Sequence, residues 1–217
     1  MTPHTFAQSY RYMSARTPTA PTVAVSSSPE SATGTGVTAI TALWKGRSPA
    51  AAADAVWVPL VSAVLIVAAG AMSLATGRPW LFAGLGPTAV MIAASPGHPT
   101  TRFHSIVLGH GAAFVCAWLA VLLLGVDAEP VLLGKAIPVV RVWASATAVG
   151  VTALVMPSLR AYHPPATATA LLVTLGAYRV TWKNSFSLLA GVLVVALLGE
   201  WFQRIRLAER RAAKARG

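Results

Sequence analysis

Between two long apolar runs lies Tyr162-His163-Pro164-Pro165-Ala166-Thr167, and its paired prolines constrain this chain more than any other feature. Proline has no N–H to donate and its ring clashes with the preceding helical turn, so two in succession cannot sit inside a helix. At the first helical positions neither defect costs much. The motif therefore predicts unwound backbone that turns into a helix start. At membrane depth, irregular backbone is tolerated only where it is buried in protein or lines a cavity. A helix N-terminus aimed into such a cavity offers free N–H groups and the positive end of the helix dipole. That is an anion site in outline.

The flanking runs place the motif in a bilayer. Only 11% of the 217 residues are charged, against about a quarter in soluble domains. Residues 56–75, 105–126, 137–156 and 186–202 are apolar runs close to the roughly 20 residues that a crossing requires. Buried helices of a soluble core are the competing reading, and so low a charge content speaks against it. The lone cysteine, Cys116, lies inside an apolar run. It gives neither a disulfide framework nor a thiol metal site and reads as a small hydrophobe facing lipid or core.

The two ends differ from the middle. Residues 1–54 are rich in Ser, Thr, Pro and Ala, and their first 50 residues carry Arg11, Arg16, Lys45 and Arg47 against a single acid, Glu30. Such a segment buries too little apolar surface to fold, so disorder is expected. It has no apolar core of a secretory signal, while its Arg-containing, acid-poor character leaves an organelle transit peptide as the alternative. At the other end, Arg204, Arg206, Arg210, Arg211, Lys214 and Arg216 follow the last apolar run. Residues 204–217 read as a cytoplasmic topology anchor that touches anionic lipid. Without an accompanying module they do not read as nucleic-acid binding. The expected division is thus a tail over 1–54, a membrane domain over 55–203 and a basic tail over 204–217.

Within residues 55–199 the bases are Arg78, Arg102, Lys135, Arg141, Arg160, Arg179 and Lys183, and the only acids are Asp127 and Glu129, in one loop. Cation and proton pathways usually place Asp or Glu at depth. Their absence from the apolar runs leaves a field that favours anions. Arg78, Arg141, Arg179 and Lys183 read more simply as side chains snorkelling to the interface.

The domain has two similar halves. In the first, the run 56–75 is followed by Arg78-Pro79, then Gly84-Leu85-Gly86-Pro87-Thr88-Ala89, a short apolar stretch, a polar turn and the run 105–126. In the second, the run 137–156 is followed by Pro157-Ser158-Leu159-Arg160, then the His163-Pro164-Pro165 start, a short stretch to Gly176, a polar turn and the run 186–202. Short helices of about 9 to 13 residues reach roughly 14–20 Å, half to two-thirds of a ~30 Å hydrocarbon core. Paired broken segments at matching positions of two repeats point to a transporter's binding site. The expected fold is an all-α membrane protein with four long spans and two short Pro-started helices. If the short helices cross, the halves are inverted and both tails share one side with Arg102 and Arg160. If they are re-entrant, the Asp127–Glu129 loop joins the C-terminal side instead.

Gly86-Pro87-Thr88-Ala89-Val90, Thr101-Arg102, Gly109-His110 and His163-Pro164-Pro165-Ala166-Thr167-Ala168-Thr169-Ala170, in this order, resemble the HPP family of integral membrane proteins, named for that tripeptide. The resemblance covers roughly residues 56–202. It implies a compact multi-helix membrane domain, and plastid and cyanobacterial members are similar to nitrite transporters. Carried over by position, it marks Arg102, His110, His163, Pro164 and Pro165. The chain departs from the family pattern at Phe103-His104, where a small polar residue such as Asn is expected beside the arginine.

These readings combine into a small-anion transporter or channel, nitrite-like by resemblance. The anion is expected between the N-termini of helices starting at Pro87 and at Pro164 and Pro165. The N–H groups near Thr88, Ala89 and Val90 and near Ala166, Thr167 and Ala168 would coordinate it, with His110, His163, Arg102 and Arg160 supplying charge. Each has a plainer reading: His110 as a partner of a facing helix, His163 as a cap of its own turn, the threonines as caps or back-bonding hydroxyls. The small face Ala144, Ala148, Thr152 reads as a helix-packing seam. The histidine spacings suggest no metal site, and nothing suggests a cofactor. No nucleophile with an adjacent base and no phosphate loop appears, so an enzyme is not expected. The expected partners are the bilayer, the anion and a second copy through small-residue helix faces. The expected location is a bacterial plasma membrane with a cytoplasmic C-terminus, a plastid membrane being the alternative. The competing function is a non-transporting accessory subunit that uses the small-residue seam as its interface.

Overall fold

The computed structural model describes residues 49–126, 136–178 and 180–216, with side chains from residue 53 onward. The expected disordered tail, apart from residues 49–54, the Asp127–Glu129 loop and Arg179 lie outside the described residues. Those described form six α-helices and no strand: α1 (Pro49–Thr76), α2 (Leu85–Ala94), α3 (Phe103–Leu123), α4 (Val139–Ser158), α5 (Thr167–Thr174) and α6 (Trp182–Lys214). Two 3₁₀ turns, Pro99–Thr101 and Pro164–Ala166, lead into α3 and α5. Helices α1, α3, α4 and α6 are long and apolar enough to cross a membrane. The short ones have 10 and 8 residues. The all-α expectation of four long and two short helices is met.

Two helix boundaries differ from the sequence reading. The break before the first short helix covers residues 77–84, and Gly86 and Pro87 already belong to the first turn of α2. A proline is harmless there because the first N–H groups of a helix have no intrahelical acceptor. Pro157 likewise lies inside α4, one residue before its end, so the second break is residues 159–163. The basic tail is not a separate segment: α6 runs through it without interruption to Lys214.

Side-chain contacts at the two ends of the bundle fix the path of the chain. At one end the Asp54 carboxylate of α1 accepts hydrogen bonds from Arg206 (2.5 Å) and Arg210 (3.0 Å) of α6. There too Gln203 accepts from Gly97 N–H and the Thr101 hydroxyl, both at 2.9 Å, and donates to the Thr101 carbonyl. At the opposite end Arg141, at the start of α4, donates to the carbonyls of Thr174 (2.8 Å) and Val126 (3.5 Å), beyond or at the ends of α3 and α5. The chain therefore traverses the bundle six times, with 78–94 and 159–174 each forming one interrupted pass. The halves are inverted, and the described ends of the chain lie at the end that holds Arg102 and Arg160. This is the crossing arrangement.

The passes pack through small residues. On α4, Arg141, Ala144, Ala148, Thr152 and Met156 are buried in steps of three or four, the spacing of a single helix face. The Ala144–Ala148–Thr152 seam is fully enclosed within the chain. It is the helix-packing seam expected from the sequence, and the accessory-subunit reading, which would use it as an interface, finds no open face there. Arg141 does not snorkel either. It is buried and satisfies carbonyls that helix ends leave without intrahelical donors. Gly191 of α6 lets the extended arm 78–84 lie against the helix, since a Cβ there would collide with the Trp80 carbonyl. Outside this core, Leu60, Leu74, Leu119, Trp143, Leu154 and Leu197 are exposed, as an apolar solvent demands.

Candidate functional site

The two interrupted passes enter from opposite ends and bring their helix starts together inside the bundle. Thr88, in the first turn of α2, lies at the centre. Its Oγ1 is 3.0 Å from His110 Nε2 of α3 and 3.0 Å from His163 Nε2 of the second break, and 2.9 Å from its own turn's Gly84 carbonyl. The far ring nitrogens are held as well. His110 Nδ1 is 2.7 Å from the Thr169 hydroxyl of α5, and His163 Nδ1 is 2.8 Å from the Thr100 carbonyl. Thr88, His110, His163 and Thr169 are all fully buried. Residues of α2, α3, α5, the second break and the first 3₁₀ turn thus supply one unbroken chain of polar contacts.

Two glycines make the convergence sterically feasible. A Cβ on Gly84 would stand 2.8 Å from Thr169 Oγ1 and 3.4 Å from His110 Cε1. A Cβ on Gly109 would stand 2.9 Å from His163 Cβ and 3.4 Å from the Ala161 carbonyl. Close approach of one backbone to another segment is what a residue without a Cβ permits. The prolines do related work. Pro164 and Pro165 open the 3₁₀ turn directly after His163, and Ala166 N–H bonds back to the His163 carbonyl at 3.0 Å.

The same turns change the expected chemistry. The N–H groups at the two helix starts are already engaged: Leu85 with Phe82 O and Gly86 with Ala83 O before Thr88, and, of the expected donors, Ala166 with His163 O and Thr167 with Pro164 O. Thr88 and Ala89 lie within α2, and Thr88, Ala89 and Ala166 are buried. The Thr167 hydroxyl caps its own turn by donating to Pro164 O at 2.8 Å. The gap between the opposed helix starts is filled by side chains, not lined by free backbone donors. What the site presents is imidazole and hydroxyl.

Arg102 and Arg160 are not in this cluster; both are exposed. They come together with His104, Tyr162 and Thr100 around a cavity of about 290 Å³ at the end of the bundle that carries the α6 tail. A neighbouring cavity of about 530 Å³ shares Arg102 and His104 and extends to Gln203 and Arg204. Arg160 has φ +51°, a left-handed conformation rarely adopted by a residue with a long side chain. Thr100 is the wall between the two places: it lines the cavity and accepts the His163 N–H on its inner side. A basic basin thus stands over a buried histidine pair.

Residues 47–212 match the family model of the HPP transmembrane region. The chain belongs to the HPP family. No functionally curated protein and no solved structure matches it. In this HPP chain the naming tripeptide divides its tasks: the histidine supplies the ring at the centre, and the prolines start the helix behind it without adding donors. Sequence reading marked Thr88, His110 and His163 but missed Thr100, which contributes only a carbonyl, and gave Thr169 no more than a capping part. Gly84 and Gly109 carried a usable signal, since each stands within the quoted motifs and Gly109 directly precedes His110.

Proposed function

We propose that this HPP protein is an integral membrane transporter for a small monovalent anion of the nitrite type. The observation that carries the reading is the position of the Arg102–Arg160 basin, separated by Thr100 from the His163–Thr88–His110 cluster. A cavity lined by one sign of charge concentrates counter-ions before they reach the interior. The cluster behind it lies where two inverted, interrupted passes meet, the place at which secondary transporters hold their substrates. Rocking of one half against the other would open it to either side, and the filled gap described above corresponds to a closed arrangement. The basic residues gathered at the α6 end, from Arg102 and Arg160 to Arg216, support a cytoplasmic position for that end by the positive-inside rule. A bacterial plasma membrane fits this orientation.

The accessory-subunit alternative loses support because the seam it would use is occupied inside the chain. The test is anion flux into liposomes containing this protein alone, with protein-free liposomes subtracted because nitrous acid crosses lipid unaided. Flux above that background supports the reading. Its absence for nitrite, nitrate and chloride alike defeats it.

A further inference from the structure

Hydrogen-bond accounting at Thr88 carries the chemistry further. A carbonyl only accepts, so the Thr100 carbonyl requires His163 Nδ1 to carry a proton. In a neutral His163, Nε2 is then a bare acceptor and must receive the single Thr88 hydroxyl proton. With that proton committed, His110 Nε2 can contact Thr88 Oγ1 only by donating to it. His110 Nδ1 is then the acceptor and takes the proton of the Thr169 hydroxyl. The tautomers follow from the partners alone: the order runs from Thr169 through His110, Thr88 and His163 to Thr100, with every group satisfied.

The same geometry accommodates one additional proton at one place. If His163 Nε2 is protonated, it donates to Thr88 Oγ1, and the Thr88 hydroxyl turns to the Gly84 carbonyl, which already stands 2.9 Å away. Thr88 then accepts from both histidines and donates once, which is its full capacity. His110 has no such provision. Protonating its Nδ1 would force the Thr169 hydroxyl to accept, and that hydroxyl makes no second hydrogen bond among the described residues, unlike Thr88 with Gly84. His163 is the proton station and Thr88 the two-position switch.

A buried imidazolium needs a counter-charge. The groups facing His163 are Thr88 from α2, His110 and Gly109 from α3, and the Thr100 carbonyl. None is an acid. The described acids, Asp54, Glu200 and Glu209, form ion pairs with arginines at the α6 end. Arg102 and Arg160 face the basin on the other side of Thr100, where His104 also lies, and the two guanidinium groups add positive charge. Among the described residues no acid faces His163, and an anion from outside would supply the negative charge. We infer that His163 takes up one proton together with each anion, so that the pair moves as a neutral unit. The inference rests on the anion reading above and deepens it: the protein is a proton–anion symporter. Linkage makes the effect mutual, with the proton tightening anion binding and the anion tightening proton binding.

Two measurements test it. In liposomes enclosing a pH-sensitive dye, inward nitrite flux above the protein-free background should acidify the lumen by one proton per anion, at a rate unchanged by a valinomycin-clamped potassium potential. Thr88→Ser, which keeps a hydroxyl, should retain this coupling, whereas Thr88→Val should lose it. Nitrite flux by the wild-type protein that follows the clamped voltage and leaves the lumen pH unchanged overturns symport while leaving anion transport standing. Independently of flux, ¹⁵N spectra of histidine-labelled wild-type protein in bilayers should show His163 protonated on Nδ1 and His110 on Nε2. Lowering the pH with nitrite present should convert His163 first to the doubly protonated form. If His110 converts first, or His163 gains its proton equally well without any anion, the coupling is wrong. Anion-linked protonation of His163 without flux would instead uphold the coupling and defeat the transport reading.

Discussion

His110 and His163 stand with ring centroids 5.3 Å apart and planes inclined at 52°, one on each side of the Thr88 hydroxyl. They come from a continuous helix of the first half and from the break of the second, 53 positions apart in the chain. The contact therefore reports on how the two inverted halves fit together. Anything that moves one half relative to the other changes this pair first.

The fit depends on Gly109 more than on any bulky residue. Gly109→Ala places a methyl 2.9 Å from His163 Cβ and against the Ala161 carbonyl, neither of which is the end of a flexible side chain. Overpacking of this kind costs about 1–3 kcal/mol. Gly111, one residue beyond His110, has nothing within 4 Å of its would-be Cβ. Gly111→Ala should gain roughly 0.5–1 kcal/mol from helix propensity. Thermal unfolding in one detergent should thus separate the two variants in opposite directions from wild type. Equal shifts would show that the halves do not pack as described.

Much of this arrangement was legible in the sequence. The paired prolines after His163 and the Gly84–Pro87 segment announced two interrupted passes, because proline's missing donor can be read without a structure. The fault lay in assuming that the freed N–H groups would face a ligand. Short 3₁₀ turns absorb them, and whether a turn tightens in this way depends on tertiary contacts. Arg141 misled for a related reason. An arginine one turn into a span looks like a snorkelling side chain until the C-terminal carbonyls of two other helices are seen beside it. Thr100 was invisible because it acts through its backbone, which every residue possesses.

Arg141 should prove structural. Arg141→Met keeps a long apolar stem but leaves the Thr174 and Val126 carbonyls without their guanidinium donor. A buried acceptor left unmatched costs about 1–3 kcal/mol, so the variant should unfold several degrees earlier. Arg141→Lys should not restore it, because one ammonium lacks the planar fork that reaches two carbonyls at once. Stability equal to wild type in either variant would contradict the capping role.

Orientation follows from the crossing arrangement and the charge distribution. A cysteine placed at Ala213, on a Cys116→Ala background, should react with a membrane-impermeant reagent only after the cells are opened. A cysteine at Ala128, between α3 and α4 in the sequence, should react in intact cells, because α3 runs from the Arg102 end to the other. Labelling at both positions from outside would mean that the short passes do not cross.

Arg160 allows the charge of the basin to be separated from its backbone geometry. Its side chain is exposed, so loss of the guanidinium should leave folding nearly unchanged, within about 0.5 kcal/mol. Its φ of +51° imposes a cost of order 1 kcal/mol that glycine does not bear. Arg160→Gly should therefore be at least as stable as wild type, and Arg160→Gln should match it. Both remove one positive charge above Thr100, and anion uptake should respond to that charge and not to stability. The half-saturating anion concentration should rise several-fold in both variants, and the dependence of uptake on ionic strength should weaken. Arg102→Gln should do the same, and the double variant Arg102→Gln, Arg160→Gln should show the larger effect. If the single variants differ from each other in uptake as they differ in stability, the backbone conformation controls access. If none of them changes uptake while the protein still transports, the basin is not the route by which the anion arrives.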